Sequence, residues 1–194
     1  MQNITGLLIL FDNTLRESNL KNYQLLYSPL NEEQIDFYFN KLGIEDNDLK
    51  ALYMWKNGFN PDDNIGVFCQ IFEYYSFLSL ESALEFMYAS RKQKIWADNF
   101  IPLVTDTTGQ YLLFNNEKND NYGKLYLYSV SSLIIEPISY YDSIHTMLET
   151  TIEAYLQGAM IYDVNEDWLE IDFKKLRKIA EKLNIDSEYW LKNK

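Results

Sequence analysis

The stretch "WADNFIPLVTDTTGQYLLF", residues 96–114, decides the fold of this chain. It contains two apolar runs, "NFIPLV" and "QYLLF", whose branched and aromatic residues are typical of strands. Between them stands "DTTG" at 106–109, and such residues favour turns because aspartate bonds to nearby backbone and glycine tolerates positive φ. The stretch therefore predicts two strands joined by a turn. We interpret Trp96 as a core residue and Pro102 as a residue at a sheet edge, because proline cannot donate to a strand ladder.

Further strands are predicted on both sides of this pair. Upstream, "IGVFCQIF" (65–72) and "YYSFLSL" (74–80) are short and rich in aromatic and branched residues. Downstream, a polar loop, "NNEKNDNYG", precedes "KLYLYSV" (124–130), which alternates as a half-buried strand does, and "LIIEPIS" (133–139) follows. The apolar run "ITGLLILF", Ile4–Phe11, is interpreted as one more buried strand.

The first helix shows clear start and stop signals. Asn31 is a suitable N-cap, and Gln34 stands three residues later, where a capping box needs it. Gly43 then stands where a left-handed residue ends the helix. The sequence predicts a helix between these residues.

A second helix follows, with Asp46 or Asn47 as its N-cap. Its apolar residues lead directly into Asn57-Gly58. Both residues tolerate positive φ, so we expect either of them to close this helix.

Three more helices are predicted further along the chain. One spans roughly 80–91, one begins at a capping box of Ser139 with Asp142 and runs through Gln157, and one lies around 176–183. The order of helices and strands predicts an α+β fold. We expect one domain over residues 1–158, with its core at about 31–156, and a C-terminal helical extension over 159–194 packed on the same domain.

The charge of the chain limits its partners. A net charge of −12 argues against nucleic acid and against an anionic membrane as direct partners, and it favours a basic protein. The N-terminal apolar run lacks the basic flank of a signal peptide and is too short to span a bilayer. We therefore expect a soluble, cytoplasmic protein without a membrane association, as a monomer or a weak dimer.

Catalysis and metal binding find no support in the sequence. His145 is the only histidine and Cys69 the only cysteine, and Cys69 falls in a predicted strand, where a buried thiol is usual. The sequence has no phosphate-binding glycine motif, no zinc ligand cluster and no complete calcium loop. We expect no enzymatic activity, no metal and no cofactor.

Charge and aromatic residues instead suggest a surface for a protein partner. The chain has 16 tyrosines and four tryptophans, and these residue types are enriched where proteins bind one another. An aromatic-rich core inside an acidic, solvated shell would explain the same composition. The candidate partner-binding residues are Asp62, Asp63, Glu117, Asp120, Tyr122, Tyr126 and Tyr128.

The landmarks of the chain also occur in a known order. These are Leu52, Tyr53, Asn57, Gly58, Leu80, Glu81, Trp96, Phe100, Ile101, Pro102, Leu103, Asp106, Gly109, Leu112 and Gly123. In this order and spacing the chain resembles the SUKH superfamily, and within it the branch named for a fungal cell-wall (glucan) synthesis regulator. The resemblance covers roughly 31–156. The chain departs from it at "EDNDL" (45–49), where members often have Leu-Pro.

The resemblance implies both a fold and a function. The fold is an α+β domain with a curved antiparallel sheet flanked by helices, here with N- and C-terminal extensions. Bacterial members are largely immunity proteins that bind the C-terminal domain of a cognate polymorphic or contact-dependent toxin in the cytoplasm. A basic toxin domain, such as a nuclease, would suit an acidic inhibitor. The alternative is a regulatory or scaffold module, as in the fungal branch. The residues expected to be structural are Asn57, Gly58, Trp96, Ile101, Pro102, Asp106 and Gly109.

Overall fold

The structure is a computed structural model that describes residues 3–18, 20–59, 69–106, 108–166 and 168–192. Its helices are α1 (Ile4–Glu17), a 3₁₀ helix (Lys21–Leu25), α2 (Glu32–Leu42), α3 (Asn47–Trp55), α4 (Leu80–Gln93), α5 (Ile144–Leu156), α6 (Phe173–Leu183) and α7 (Glu188–Lys192). Its strands are β1 (Gln70–Phe72), β2 (Tyr75–Phe77), β3 (Phe100–Thr105), β4 (Gln110–Asn115), β5 (Leu125–Ser129), β6 (Ile134–Tyr141), β7 (Met160–Asp163) and β8 (Trp168–Ile171).

The first six strands form one antiparallel sheet in the order β1-β2-β3-β4-β5-β6, so that neighbours in the chain are neighbours in the sheet. Helix α4 connects β2 to β3, and β7 pairs with β8 in a separate hairpin. The predicted α+β fold with an antiparallel sheet flanked by helices is confirmed. In the described residues no helix is both long and apolar enough to cross a membrane.

The predicted strand pair lies at the centre of this sheet. Strands β3 and β4 pair antiparallel, with Ile101 opposite Phe114 and Thr105 opposite Tyr111. Because successive side chains of a strand point to opposite faces, the pair contributes to two cores. Phe114 joins the main core beneath the helices, whereas Tyr111 packs against a smaller cluster on the other face.

The turn between β3 and β4 is held by Asp106. Its carboxylate accepts hydrogen bonds from the backbone N–H groups of Thr108 and Gln110, each at 2.8 Å. The Thr108 hydroxyl and the Gln110 side chain donate to its second oxygen. Gly109 has a φ of +84°, which a residue with a Cβ rarely adopts. The structure therefore gives both residues the turn role expected of them.

Trp96 and Pro102 also have structural positions. Trp96 packs edge-on against Tyr128, with ring centroids 5.2 Å apart, in the smaller cluster. The interpretation of Pro102 as a residue of an edge strand is wrong, because β3 is an interior strand. However, β2 pairs with β3 at Val104 and Thr105, beyond Pro102. The missing N–H of Pro102 therefore lies outside the stretch paired with β2.

The N-terminal run Ile4–Phe11 is a helix, and its prediction as a strand is wrong. Asn3 caps α1 by accepting from the backbone N–H of Gly6. Leu7, Leu8 and Phe11 are buried on the helix face that packs against α5, whereas Ile9 is exposed. In a short apolar run, the spacing of the apolar residues does not distinguish a helix from a strand, because nearly every position is hydrophobic.

The capping signals of α2 and α3 are confirmed. Asn31 and Gln34 form the predicted capping box, and Gly43 ends α2 with a φ of +69°. The side chain of Asp46 accepts from the backbone N–H of Leu49 and so caps α3. These signals are local, which is why sequence alone identifies them.

Asn57-Gly58, however, does not close α3, and that prediction is wrong. The helix ends at Trp55, and Lys56 is already extended. The buried Asn57 side chain instead accepts from the backbone N–H of Leu80 and donates to the Glu81 carboxylate, both at 3.0 Å. It therefore caps the start of α4 from 23 residues upstream.

Two predictions near the C-terminus also need correction. Ser139 lies inside β6, and α5 begins after it, with Ser143 and Thr146 forming the capping box. The expected helical extension contains α6, but it also contains the β7–β8 hairpin, which the sequence analysis did not predict. The strand predicted over 65–72 is present at 70–72, and residues 60–68 lie outside the described residues.

Helix α7 packs on the last strand of the sheet. The Ser187 hydroxyl donates to the backbone carbonyl of Ser139 at 3.0 Å, and the backbone N–H of Glu188 donates to the Ser139 hydroxyl at 2.8 Å. Trp190 is buried against Tyr140, with ring centroids 4.7 Å apart. The end of the chain is thus fixed to β6 by both polar and aromatic contacts.

Gly58→Ala should destabilise the fold more than a matched change at Gly43. Both glycines have positive φ, so each substitution costs about 1 kcal/mol of conformational strain. A Cβ on Gly43 meets open space, whereas a Cβ on Gly58 would lie 2.2 Å from the backbone oxygen of Leu78. Overpacking against rigid backbone adds about 1–3 kcal/mol. Urea unfolding of the two variants measures the difference, and equal losses would contradict the close approach at Gly58.

Candidate protein-binding surface

Two loops that are distant in sequence meet at one end of the sheet, and we call them the loop pair: residues 43–46 and residues 116–124. The Asn116 side chain donates to the backbone carbonyl of Gly43 at 2.7 Å. The Tyr122 hydroxyl donates to the backbone carbonyl of Glu45 at 2.9 Å. The Tyr122 ring packs edge-on against Phe114 in the sheet, with centroids 5.8 Å apart. The two loops therefore hold each other in place.

The second loop is also ordered from within by Asn115, the last residue of β4. Its side-chain oxygen accepts from the Asn99 side chain at 2.7 Å and from the backbone N–H of Glu117 at 3.1 Å. Its side-chain nitrogen donates to the backbone carbonyl of Asn121 at 2.9 Å. One buried amide thus ties the start and the middle of this polar loop to the sheet, in addition to the backbone hydrogen bonds within the loop.

The loop pair carries a concentration of negative charge. Glu117 and Asp120 are exposed on one loop, and Glu45 and Asp48 lie on or beside the other. Lys118 stands among them, with its ammonium 3.5 Å from Glu45 and 4.5 Å from the centre of the Tyr122 ring. This region carries five carboxylates against two lysines, Lys118 and Lys124, so the surface keeps a negative balance.

The negative charge of the loop pair affects the pKa of Tyr122. Burial, together with the nearby charges of Asp46 and Glu45, raises the pKa of its hydroxyl to about 12. The hydroxyl therefore stays protonated at any physiological pH and can donate to the Glu45 carbonyl throughout this range.

An aromatic surface adjoins the loop pair on the outer face of the sheet. Tyr126 and Phe100 are half-buried there, with ring centroids 5.1 Å apart. Burial raises the pKa of Tyr126, and the charges of Glu188 and Glu117 add to this shift, which places Tyr126 within electrostatic range of the acidic loop. Tyr128 is only 8% exposed beneath Trp96, so the expectation that it is exposed is wrong.

The structure brings together Glu117, Asp120, Tyr122 and Tyr126 from the predicted partner-binding residues. Asp62 and Asp63 lie outside the described residues. Glu45 and Asp48 are two further acids at this surface that were not among the predicted residues. Their acidic run is visible in the sequence, but its position beside a loop more than 70 residues away depends on a contact that local patterns do not encode.

The two residues considered for catalysis lie in different surroundings: Cys69 is buried in the core, whereas His145 contacts Asp48 beside the loop pair. Burial raises the pKa of the Cys69 thiol to about 12, so the thiolate is a minor species at neutral pH. His145 lies at the start of α5, with its Nδ1 atom 3.1 Å from the Asp48 carboxylate. Among the described residues, no group of three or more histidine, cysteine or acidic side chains could hold a metal ion.

The model of the SMI1 / KNR4 family (SUKH-1) matches residues 29–150, which is more than half of the chain. No curated protein shows a significant match to the chain. The matched range includes both loops of the loop pair and strands β1 to β6.

Tyr122→Phe should loosen the loop pair without unfolding the protein. Removing the hydroxyl leaves the ring packed on Phe114 but deletes the hydrogen bond to Glu45, worth about 1 kcal/mol. The amides of residues 116–124 should then exchange with deuterium about five-fold faster. The control is Tyr88→Phe on the exposed face of α4. Unchanged exchange in the loops would show that Tyr122 does not hold them.

Proposed function

This chain belongs to the SMI1 / KNR4 family (SUKH-1), whose domains are protein-interaction modules, and we propose that it is a non-enzymatic immunity protein. In this proposal it binds the toxic domain of a cognate bacterial polymorphic or contact-dependent toxin in the cytoplasm and neutralises it by covering its surface. The observation that carries the proposal is the loop pair, an acidic surface fixed beside half-buried aromatic side chains.

Charge gives this surface a preference among partners. A net charge of −12, with carboxylates concentrated on the loop pair, attracts a basic protein over a distance of about one Debye length, roughly 8 Å in physiological salt. Toxin domains that cleave nucleic acid carry basic surfaces, because they bind phosphates. A nuclease is therefore the toxin class that suits this surface.

The fixed geometry of the loops supports tight binding. A loop that is already ordered loses little conformational freedom when a partner binds, so more of the contact energy remains as affinity. The hydrogen bonds from Asn116, Tyr122 and Asn115 provide this order before binding. Tyr126 and Phe100 add half-buried aromatic area, which is the type of contact that dominates protein interfaces.

Inhibition by occlusion requires no chemistry from the inhibitor. The buried thiol of Cys69 and the pairing of His145 with Asp48 are consistent with structural positions for both. We accordingly propose that changing either residue to alanine leaves the protective activity intact as long as the protein folds.

Growth rescue tests the proposed function directly. The toxin-like C-terminal domain encoded beside this gene is expressed in cells with and without this protein, and surviving cells are counted. Immunity predicts survival only when both are present. If both proteins are produced in folded form and cells still die, the immunity proposal is wrong, and a regulatory or scaffold role becomes the function to test by capture of partners.

Charge reversal tests the surface separately. Glu117→Lys with Asp120→Lys should weaken toxin binding by about ten-fold or more at low salt, because two attractive charges become repulsive. The matched control reverses Glu166 and Glu170, two exposed acids on the β7–β8 hairpin, with the same change in net charge. Calorimetric titration measures both. Equal effects would show that only net charge matters, and the loop pair would no longer be the binding surface.

A further inference from the structure

A concave region lies on a part of the molecule away from the loop pair, and we call it the Glu73 pocket. It encloses about 420 Å³, a volume suited to a small ligand or to the end of a long side chain. Two carboxylates, Glu73 and Asp106, line it, and the described lining residues include no lysine, arginine or histidine. Its aromatic walls are Tyr74, Tyr75, Tyr140, Trp168, Phe173 and Tyr189.

Glu73 occupies an unusual position for a charged residue. It lies in the tight turn between β1 and β2, has a φ of +55°, and is only 4% exposed. A residue with a Cβ in the left-handed region costs backbone strain, and a buried carboxylate costs solvation. Ordinary turns with positive φ use glycine or asparagine, which avoid both costs. A glutamate at this position therefore indicates that the carboxylate itself has a function.

Two tyrosines satisfy only part of the carboxylate. The Tyr141 hydroxyl donates to Glu73 Oε1 at 2.7 Å, and the Tyr140 hydroxyl lies 3.1 Å and 3.0 Å from the two oxygens. Each hydroxyl has one proton, so the two together supply two protons to a group with about four acceptor positions. The carboxylate, which lines the pocket, therefore retains acceptor capacity.

The charge of Glu73 is not compensated by these neutral donors. Burial raises its pKa to about 7, although the hydrogen bonds from Tyr141 and Tyr140 act in the opposite direction. Near neutral pH the group is thus divided between its two protonation states. A bound cation would stabilise the ionised state.

The outer wall of the pocket is an exposed aromatic cluster. Tyr74 packs against Trp168 and Phe173, with ring centroids 5.6 Å and 5.9 Å apart. Trp168 is 48% exposed and Phe173 52% exposed, which leaves ring faces open to a ligand. Aromatic faces attract cations through their quadrupole, and the attraction grows when the cation is shielded from water.

We infer that the Glu73 pocket binds a guanidinium or ammonium group at the end of a flexible stem, with the aromatic rings around the cation and the Glu73 carboxylate as its counter-ion. Two sources share this chemistry: a free small organic cation and a basic side chain of a protein. The inference does not depend on a toxin as the partner, because the pocket is formed by other elements than the loop pair.

A purely structural role for Glu73 makes a different prediction. If the side chain only accepts from Tyr140 and Tyr141, glutamine can replace it, because its single amide oxygen can take the place of Oε1, which lies within hydrogen-bond distance of both hydroxyls. Glu73→Gln therefore separates the two roles. It keeps the shape and the acceptor and removes the charge that a cation needs.

Protonation provides an independent readout. The titratable and charged side chains that face Glu73 in the described residues are Tyr74, Tyr75, Tyr140, Tyr141, Tyr189 and Asp106, with Arg177 beside Tyr189. Burial raises the pKa of each of these tyrosines, so they stay protonated between pH 5 and 8. A cation that binds at pH 6 must therefore expel a proton from Glu73.

The stability of Glu73→Gln checks that the variant folds. The folded-state pKa of Glu73 is raised above its ordinary value of 4.5, so its stabilising effect is complete below about pH 4.5 and is lost as the pH rises through about 7. Glutamine has no such loss. At pH 8 the variant should unfold at the same or a higher urea concentration than the wild type.

Binding is measured by calorimetric titration with two probes, methylguanidinium and a capped Ala-Arg-Ala peptide. The same peptide with citrulline in place of arginine is the neutral control. We expect saturable binding of a cationic probe, none of the citrulline peptide, at least ten-fold weaker binding to Glu73→Gln, and proton release at pH 6 in the wild type alone. If the peptide binds ten-fold tighter than methylguanidinium, the natural ligand is a basic side chain of a protein. If the two affinities are equal, the natural ligand is a free organic cation.

A wall variant keeps the test decisive even if Glu73→Gln does not fold. Phe173→Leu should weaken binding about two- to ten-fold through loss of one ring face. Phe37→Leu, at a phenylalanine of similar exposure (53%) on α2, should leave it unchanged. The inference is overturned if neither cationic probe binds the wild type at millimolar concentration, or if Glu73→Gln and Phe173→Leu both bind as the wild type does.

Discussion

The fold depends on residues 57–59, which connect the N-terminal helices to the sheet. The backbone N–H of Asn57 and the backbone carbonyl of Gly58 bond to Tyr27, while Phe59 donates to Phe77 and accepts from Ser79. The Asn57 side chain then caps α4 at Leu80. Three consecutive residues therefore fix the 3₁₀ region, the end of β2 and the start of α4 relative to one another. Gly58 must be glycine here because the backbone of Leu78 occupies the space of a Cβ.

Local chemistry was readable from the sequence, and long-range contacts were not. The capping box of Asn31 with Gln34, the cap at Asp46 and the turn at Asp106 each involve residues within four positions, so their signals are complete in a short window. Asn57 is an asparagine, a residue type that often ends a helix, but the hydrogen-bond partners of its side chain are 23 and 24 residues away. A pattern in one window cannot distinguish a residue that ends its own helix from one that caps another.

The candidate sites also combine features that single residues predict with features that depend on long-range contacts. Glu117, Asp120 and Tyr122 were predicted from charge and residue type, which are properties of single residues. The order of the loop pair was not predictable, because Asn116 and Tyr122 reach carbonyls more than 70 positions away. Glu73 was invisible for a further reason. A lone glutamate between two strands looks solvated, and only the approach of Tyr140 and Tyr141 shows that it is buried.

The contact of α7 with β6 has a consequence for the solubility of the sheet. Strand β6 is the last strand of the sheet, and an edge strand offers unpaired backbone groups to other chains. Its first half carries Glu136 and Pro137, a charge and a missing donor that both discourage pairing. Its second half has no such residues, and there Ser187 occupies the carbonyl of Ser139 while Trp190 covers Tyr140. Helix α7 thus covers the half of this edge that lacks a charge or a proline, and without α7 the aromatic residues and the backbone of 138–141 would be open to edge-to-edge pairing.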